Sequence, residues 1–470
     1  MIVQFRHRIR CSIGAAFLAL FAGGCSVLPH SDYATPQVDM PQKWQGSAVT
    51  GAAIAAGDQW WRNFNDPLLN DLIERALRTN NDLAAATIKV RRARLQSELT
   101  ATNLTPTVSV AANSSVNRDL KQEVTTRSHS VSGSLSYELD LWGKLARTRD
   151  ASSWEAEATD ADRENTALSL IGTTATAYWQ VAYLNQRLAS SEASLAYTEQ
   201  SLALTRLKHE AGAVTGLDLV QARQSVASQK AALTQLKQQR TAARHALAIL
   251  FDQGPQHSLP ELHELPDGPI PTVAAGLPAG LLGRRPDLRA AELRLRETLA
   301  NVDVAKAGFY PTFTLTGSLG GSSTSLADVL QNPVAALGIG LTLPFVQWNT
   351  AQLTVKVAQT RYEEAVVQFR QTLYKALADV EDALSATDHY RDQGVYLKEA
   401  LTCAIQAEQL AEARYRAGGT GVQAWLDEQE RRRTAELSLA ENRFNRLSNI
   451  MKLYQALGGD MRSTGSVVAN

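Results

Sequence analysis

The stretch SVSGSLSYELDLWGK, residues 130–144, decides the fold, because a strand pattern changes into a helix pattern within it. Apolar residues and glycine alternate there with Ser, Glu and Asp, and a period of two predicts a strand with one apolar and one polar face. From its end to about Glu210 the chain has no proline and a single glycine, Gly172. Residues at steps of seven predict a coiled-coil-like helix of roughly 100 Å, which is longer than a globular core. They are Ala167, Thr174, Val181, Leu188, Leu195 and Leu202.

Short motifs of the first half of the chain return in the second half about 205 residues later. Asp-Leu at 82–83 returns at 287–288, Pro-Thr at 106–107 returns at 311–312, and Ala-Gly at 211–212 returns at 417–418. This period is too long for an ordinary solenoid unit. The sequence therefore predicts a tandem copy of one module: helix, strand, strand, long helix, helix.

The N-terminus is typical of a targeting segment. Residues 1–24 combine a basic start, a short apolar stretch and the small residues Ala-Gly-Gly before Cys25, as a secretory signal does. The site resembles a bacterial lipoprotein signal, which implies that Cys25 becomes the lipidated, palmitate-bearing first residue; an ordinary signal peptide is the alternative. Residues 25–59 are predicted to form the lipidated tether. Cys403 is then the only other thiol of the mature chain, expected to be packed on a helix, and no disulfide is predicted.

The remaining boundaries follow from turn residues and proline density. The first repeat is 60–254, with strands at about 106–117 and 129–141 and a hairpin tip at 211–216. A proline-rich connection spans 255–283. The second repeat is 284–459, with strands at about 311–320 and 335–344 and a tip at 417–421, and 460–470 is expected to be a disordered tail. The polar stretches 113–129 and 320–333 are interpreted as loops, and Gly394 as a weak point of the second long helix.

The four predicted strands have the length and patterning of membrane β-strands, with small hydroxyl residues on one face and apolar residues on the other. A soluble antiparallel sheet against helices is the alternative. Four strands cannot close a barrel, so a membrane sheet of this kind requires several copies of the chain. Lys plus Arg and Asp plus Glu both number 47, so no net charge attracts nucleic acid.

Four motifs together resemble the TolC-like outer-membrane factors of tripartite efflux systems, in the lipoprotein branch of OprM/NodT type. They lie at residues 60–68, 140–143, 284–292 and 415–429. The resemblance implies a mainly helical protein with membrane β-structure: a homotrimeric tube with a 12-stranded barrel, four strands per chain, and a long periplasmic α-helical barrel. It also implies the outer membrane of a Gram-negative bacterium, a periplasmic adaptor, and an inner-membrane transporter of the proton-driven RND type. No enzyme activity, cofactor or metal is implied.

In that family the hairpin tips close the periplasmic entrance and meet the adaptor, and Gly212, Gly216, Gly418 and Gly421 fall at tip positions. Asp427 matches an aspartate of the constriction, with Trp425 beside it and Asp218 of the first tip as a further candidate. Three copies would place three carboxylates on one ring. A solvated helix carboxylate and ordinary turn glycines are the alternative interpretations.

Three functions are compared. A passive exit channel agrees with the resemblance. A trimeric structural or secretion protein not tied to drug efflux is the alternative. A periplasmic enzyme would need a catalytic cluster, but His245, His257 and His263 lack metal-ligand spacing, and Arg284, Arg285 and Asp287 are interpreted as a helix start with a local ion pair. The substrate is not predicted.

Overall fold

The computed structural model describes residues 30–45, 59–275 and 278–459. These residues fall into two compact units. The sheet unit combines the chain up to Gln37 with Val90–Thr159 and Ala290–Arg370, and the helical unit combines Val38–Lys89, Asp160–Arg289 and the chain from Gln371. The signal, Cys25 and the tail 460–470 lie outside the described residues.

The element order shows the duplication directly. The helices are α1 Pro67–Thr79, α2 Asn81–Ala101, α3 Lys144–Glu210, α4 Gly216–Ile249, α5 Leu281–Arg284, α6 Pro286–Ala307, α7 Trp348–Arg416 and α8 Val422–Ala456. The strands are β1 Thr107–Arg118, β2 Thr125–Leu139, β3 Thr312–Ser323 and β4 Pro333–Thr342. The two long helices contain 67 and 69 residues. The predicted class, mainly helical with four strands per chain, is confirmed.

The four strands form one antiparallel sheet in the order β1-β2-β3-β4. Residues that face each other across the ladders share a face, so Val108, Leu135, Gly317 and Leu337 form one apolar row. The adjacent row, Ser109, Ser134, Ser318 and Ala336, is small and mostly hydroxylated. Leu337 is 94% exposed, so within one chain the apolar face of the sheet has no cover.

The strands occupy much of the polar stretches that were interpreted as loops. β1 ends at Arg118, one residue past its predicted end, and β2 begins at Thr125, four residues before its predicted start. Most of the stretch 113–129 is therefore a hairpin, where Ser114 pairs with His129. β3 likewise extends to Ser323, into the loop predicted at 320–333. Residues beyond the apolar band are polar on both faces, so no period marks them, while the backbone ladder still holds them in register.

The joints between strands and helices are built from the residues of the repeated motifs. The Asp140 carboxylate accepts hydrogen bonds from the backbone N–H groups of Leu145 (2.9 Å) and Ala146 (2.8 Å), which caps α3. The Trp142 indole N–H donates to the Pro311 carbonyl at 2.8 Å, and its ring stacks on Tyr310 with centroids 4.9 Å apart. The two halves of the duplication are therefore joined where the strands meet the helices.

The helical unit has an aromatic core beside the start of α1. Trp60 and Trp61 are each 1% exposed, and Trp60 stacks on Tyr454 with ring centroids 4.5 Å apart. Asp66 caps α1 through the N–H of Leu69 (3.0 Å) and also accepts a hydrogen bond from the Tyr178 hydroxyl at 3.1 Å. The Trp-Trp…Asp-Pro motif thus anchors the start of the first repeat.

Within residues 30–45, the described part of the predicted tether, Trp44 is buried, at 6% exposed. Two expectations are corrected. Cys403 was expected to be packed and is exposed. Gly394 does not weaken α7, which is continuous through it; a Cβ there would lie 2.9 Å from the Asn442 side-chain oxygen, so this glycine allows α8 to approach closely.

Within the described ranges, none of the helices has the length and apolar character needed to cross a membrane.

Candidate gate at the helical tips

Both hairpin tips end their incoming helix in the same way. Gly212 and Gly418 have φ of +73° and +74°, a conformation that favours glycine. The N–H of Gly212 donates to the His209 carbonyl and that of Gly418 to the Tyr415 carbonyl, both at 2.9 Å. In each tip the following N–H reaches the carbonyl five residues back, as in a Schellman motif. The predicted tip glycines Gly212 and Gly418 are therefore required by the turn itself.

The outgoing helices begin differently. In the first tip Thr215 and Asp218 form a capping box: the Asp218 carboxylate accepts from the Thr215 N–H (2.7 Å) and hydroxyl (2.6 Å). These hydrogen bonds hold the pKa of the Asp218 carboxyl below its ordinary value. In the second tip Gly421 occupies the N-cap and supplies no side chain. Gly216 is the first residue of α4. Asp218 therefore has a local role as a helix cap.

Asp427, the main predicted gate residue, lies on α8 and is hydrogen-bonded to α3. Its Oδ1 accepts from the Tyr197 hydroxyl at 2.7 Å and from the Gln423 amide at 2.9 Å. Gln423 in turn accepts from the Ser201 hydroxyl at 2.9 Å. Burial and the neighbouring Asp427 raise the pKa of the Tyr197 phenol, so it remains a donor at ordinary pH. We call Tyr197, Ser201, Gln423 and Asp427 the Asp427 network.

A second cluster links the same two helices about one turn further along α8. The Ser194 hydroxyl donates to the Glu430 carboxylate at 2.8 Å, and Arg433 pairs with Glu430 at 2.8 Å. The Arg433 guanidinium also lies over the Tyr197 ring, 5.4 Å from its centroid. Tyr197 therefore contacts both clusters, and together they form a ladder of polar contacts between α3 and α8.

Trp425, the other candidate of the second tip, points to a different neighbour. It stacks on Tyr415 of α7, with ring centroids 5.6 Å apart and planes 21° apart. This contact joins the two helices of one hairpin, whereas the Asp427 network joins two hairpins. Ala424 stands where Asp218 lies in the first repeat, so the second tip has no second acid there.

The sequence did not reveal the partners of Asp427. Tyr197 and Asp427 are 230 positions apart, and no sequence pattern links the two residues. The duplication held one usable signal: at an offset of about 206, Gln423, Asp427, Glu430 and Arg433 correspond to Leu217, Gln221, Gln224 and Ala227. The first repeat has no ionisable side chain at any of these positions.

The Arg285 cluster is structural, and it reaches further than the local ion pair that the sequence predicted. Arg285 pairs with Asp287 at 2.8 Å and with Asp379 of α7 at 3.1 Å. It also donates to the Ala456 carbonyl at 3.1 Å, near the end of α8. One guanidinium therefore holds three helices of the helical unit. In the parts of the chain that the structure describes, no group of three or more His, Cys, Asp or Glu side chains could hold a metal ion.

The fold, the duplicated strand-and-helix module and the two tips define a protein of the outer-membrane channel class. The family model for the outer membrane efflux protein matches residues 72–251 and 277–459, and the chain belongs to this family. The pyoverdine export outer membrane protein OpmQ of Pseudomonas putida is 32% identical over 430 residues, 89% of this chain and 92% of that protein. The outer membrane protein OprJ of Pseudomonas aeruginosa is 30% identical over 97% of this chain and 98% of that protein.

Solved structures show the same relationship. The outer-membrane channel OprN superposes with a TM-score of 0.79 at 28% identity, covering 91% of this chain and 98% of that chain. The open state of the MtrE outer membrane channel of Neisseria gonorrhoeae has a TM-score of 0.79 at 29% identity, covering 92% and 98%. The predicted family and the function of outer-membrane efflux channel are confirmed.

Proposed function

We propose that this protein is the passive exit channel of a tripartite efflux pump, working as a homotrimer with a periplasmic adaptor and a proton-driven inner-membrane transporter of the RND type. The observation that carries the proposal is the open sheet. Among the described residues β1 and β4 are paired on one side only, and the apolar face is exposed. Lipid cannot satisfy free strand edges, so three copies would join their sheets into a closed barrel of twelve strands.

The two tips carry the proposed periplasmic entrance. Asp427 is the proposed gate residue, with Trp425 beside it. The Asp427 network holds the beginning of α8 against α3 in this state. Breaking the network would free α8 to move while the Tyr415–Trp425 stack keeps it attached to α7. The glycine turns, with Gly212 and Gly418 at their centres and Gly216 and Gly421 at their ends, are the proposed adaptor contacts.

Cys25 is the proposed lipid attachment site, which would anchor the mature chain in the outer membrane. The sequence before it has the form of a lipoprotein signal. The intact mass of the purified protein tests this directly: the mature chain is expected to begin at Cys25 and to carry acyl chains. A Cys25→Ser variant is expected to lose them, and a wild-type mass without acyl chains would refute the anchor alone.

Native mass spectrometry of the detergent-solubilised protein tests the channel itself. A trimer is expected, since each chain supplies four strands of the proposed twelve. A stable monomer that retains the sheet would refute the shared barrel. Conductance of the trimer in planar bilayers then tests the gate: an Asp427→Ala variant is expected to conduct more than wild type, while Asp218→Ala, which removes only a helix cap, is expected to match wild type.

A further inference from the structure

The N-terminal segment, residues 30–37, packs on side chains of the sheet unit. At the centre of these contacts is Asp303 of α6, whose side chain is 0% exposed. Its carboxylate accepts hydrogen bonds from the backbone N–H of Ser31 at 2.9 Å and from the Ser31 hydroxyl at 2.6 Å. Arg147 of α3 lies 3.2 Å from the same carboxylate, and Lys306 lies 3.9 Å away.

In the folded chain this buried carboxylate receives two of its hydrogen bonds from the segment. A buried carboxylate is costly unless it is both paired and hydrogen-bonded. Of the helix residues that the structure describes, Arg147 is the one cation within hydrogen-bonding distance of Asp303, because the Lys306 contact at 3.9 Å is too long. Ser31 supplies the two shortest contacts, one to each oxygen. The Asp303 carboxylate of α6 therefore accepts hydrogen bonds from both the backbone N–H and the hydroxyl of Ser31.

Two further contacts continue the segment along the sheet unit. The Arg296 guanidinium lies over the Tyr33 ring, 4.6 Å from its centroid, and is itself paired with Glu292 at 2.8 Å. Burial and the nearby Glu292 raise the pKa of Tyr33 to about 12, as expected for an enclosed phenol. The Gln37 carbonyl accepts from Arg370 at 3.5 Å. The contacts at Ser31, Tyr33 and Gln37 fix the register of the segment.

We propose that Asp303 is the receptor for the N-terminal segment, a positioning residue that fixes where the membrane-anchoring end of the chain leaves the sheet unit. Cys25 stands six positions before Ser31, so a lipidated Cys25 would lie within about 20 Å of Ser31 even with the chain fully extended. Asp303 stands nine positions before Thr312, the first residue of β3, so this receptor lies close to the proposed membrane strands. The consequence for anchoring rests on the proposed function, whereas the docking does not.

Limited chymotrypsin digestion of the full-length mature protein in detergent tests the docking. Cleavage after Tyr33 is followed by intact mass, as the product that begins at Ala34. Wild type is expected to be cut far more slowly than a free peptide of residues 26–45. Ser31→Ala, which cannot disturb the helices, and Asp303→Asn are each expected to accelerate the cut by about tenfold, because each removes hydrogen bonds to a buried charge.

Asp150→Asn is the matched control, since Asp150 also contacts Arg147, at 3.5 Å, but makes no hydrogen bond with Ser31. It is expected to be cut at the wild-type rate. Wild-type cleavage at the peptide rate, or Ser31→Ala cleavage at the wild-type rate once normalised to its own peptide, would overturn the proposal. The mass of the released N-terminal fragment reports acylation separately, so a missing lipid would refute the anchor and leave the docking intact.

Discussion

The hydroxyl of Tyr197 offers the sharpest test of the proposed gate. Tyr197→Phe removes the 2.7 Å hydrogen bond to Asp427 and leaves the ring, with its Arg433 contact, in place. A hydrogen bond to a charged group contributes about 1.5–3 kcal/mol, but Asp427 is exposed and water replaces part of it. We therefore expect Tyr197→Phe to weaken the link between α3 and α8 by about 1 kcal/mol per chain. This corresponds to about a fivefold rise in the population of chains in which the contact is broken.

The size of the effect depends on whether the three chains open together. With independent chains the fivefold factor applies to each, whereas concerted opening multiplies the three factors to a shift of about a hundredfold. Planar-bilayer conductance of the purified protein measures this, together with Asp427→Ala and the double variant. Since the Tyr197 hydroxyl and Asp427 belong to one hydrogen-bond network that Asp427→Ala already breaks, the double variant is expected to conduct no more than Asp427→Ala alone.

Tyr415→Phe is the matched control for this experiment. Tyr415 lies near the same tip and stacks on Trp425, yet its hydroxyl makes no hydrogen bond to any of the described residues. Its removal is expected to leave conductance unchanged. If Tyr197→Phe conducts as wild type does, or if Tyr415→Phe raises conductance equally, the Asp427 network does not hold the entrance closed.

Two further predictions concern stability. Arg285→Ala is expected to destabilise the helical unit by about 2 kcal/mol, since a largely buried guanidinium leaves Asp379 and the Ala456 carbonyl unpaired, and thermal unfolding followed by circular dichroism measures it. Thr215→Ala is expected to speed amide exchange in the first turn of α4, as loss of a cap does. The pKa of Asp218 is lowered in the folded state, so its contribution is present above about pH 4 and is lost as pH falls further. Exchange in that turn is therefore expected to become less sensitive to Thr215→Ala as pH falls through the lowered pKa of Asp218, and a sensitivity that stays constant down to the lowest pH at which the protein is folded would contradict this.

The elements that could be predicted from the sequence are those whose faces differ chemically. Within β2 one face is apolar and the other hydroxylated, so its period of two is visible. The ends of β1 and β2 near Ser114 and His129 are polar on both faces, and only backbone pairing shows that they are strand. The glycines of the tips could be located for a different reason, because a left-handed conformation at a helix end strongly restricts the residue type.

The contacts that arise only from the tertiary fold could not be predicted. Tyr197 is one of many residues on a long helix, and nothing local marks it as the partner of Asp427. Ser31 lies in a tether without a periodic pattern, and nothing in the local sequence indicates that it donates hydrogen bonds to a buried carboxylate 272 residues away. Cys403 shows the opposite error, because a small apolar residue on a helix carries too little information to decide between core and surface.

The divergence of the two tips bears on which of them moves. The two helix ends are equivalent as glycine turns, yet α4 begins with a complete capping box and α8 begins at Gly421 without a side-chain cap. A glycine N-cap costs a helix start only about a few tenths of a kcal/mol relative to a side-chain cap, so the first turn of α8 depends slightly more on contacts outside its own helix. Those contacts are the polar ones to α3, which can break and form in water, and the first repeat has non-ionisable residues at the corresponding positions. The second copy of the module thus lacks a side-chain cap and is linked to α3 through Asp427, which is the combination that we expect of a movable helix start. We therefore infer that α8, and not α4, is the helix whose movement opens the entrance.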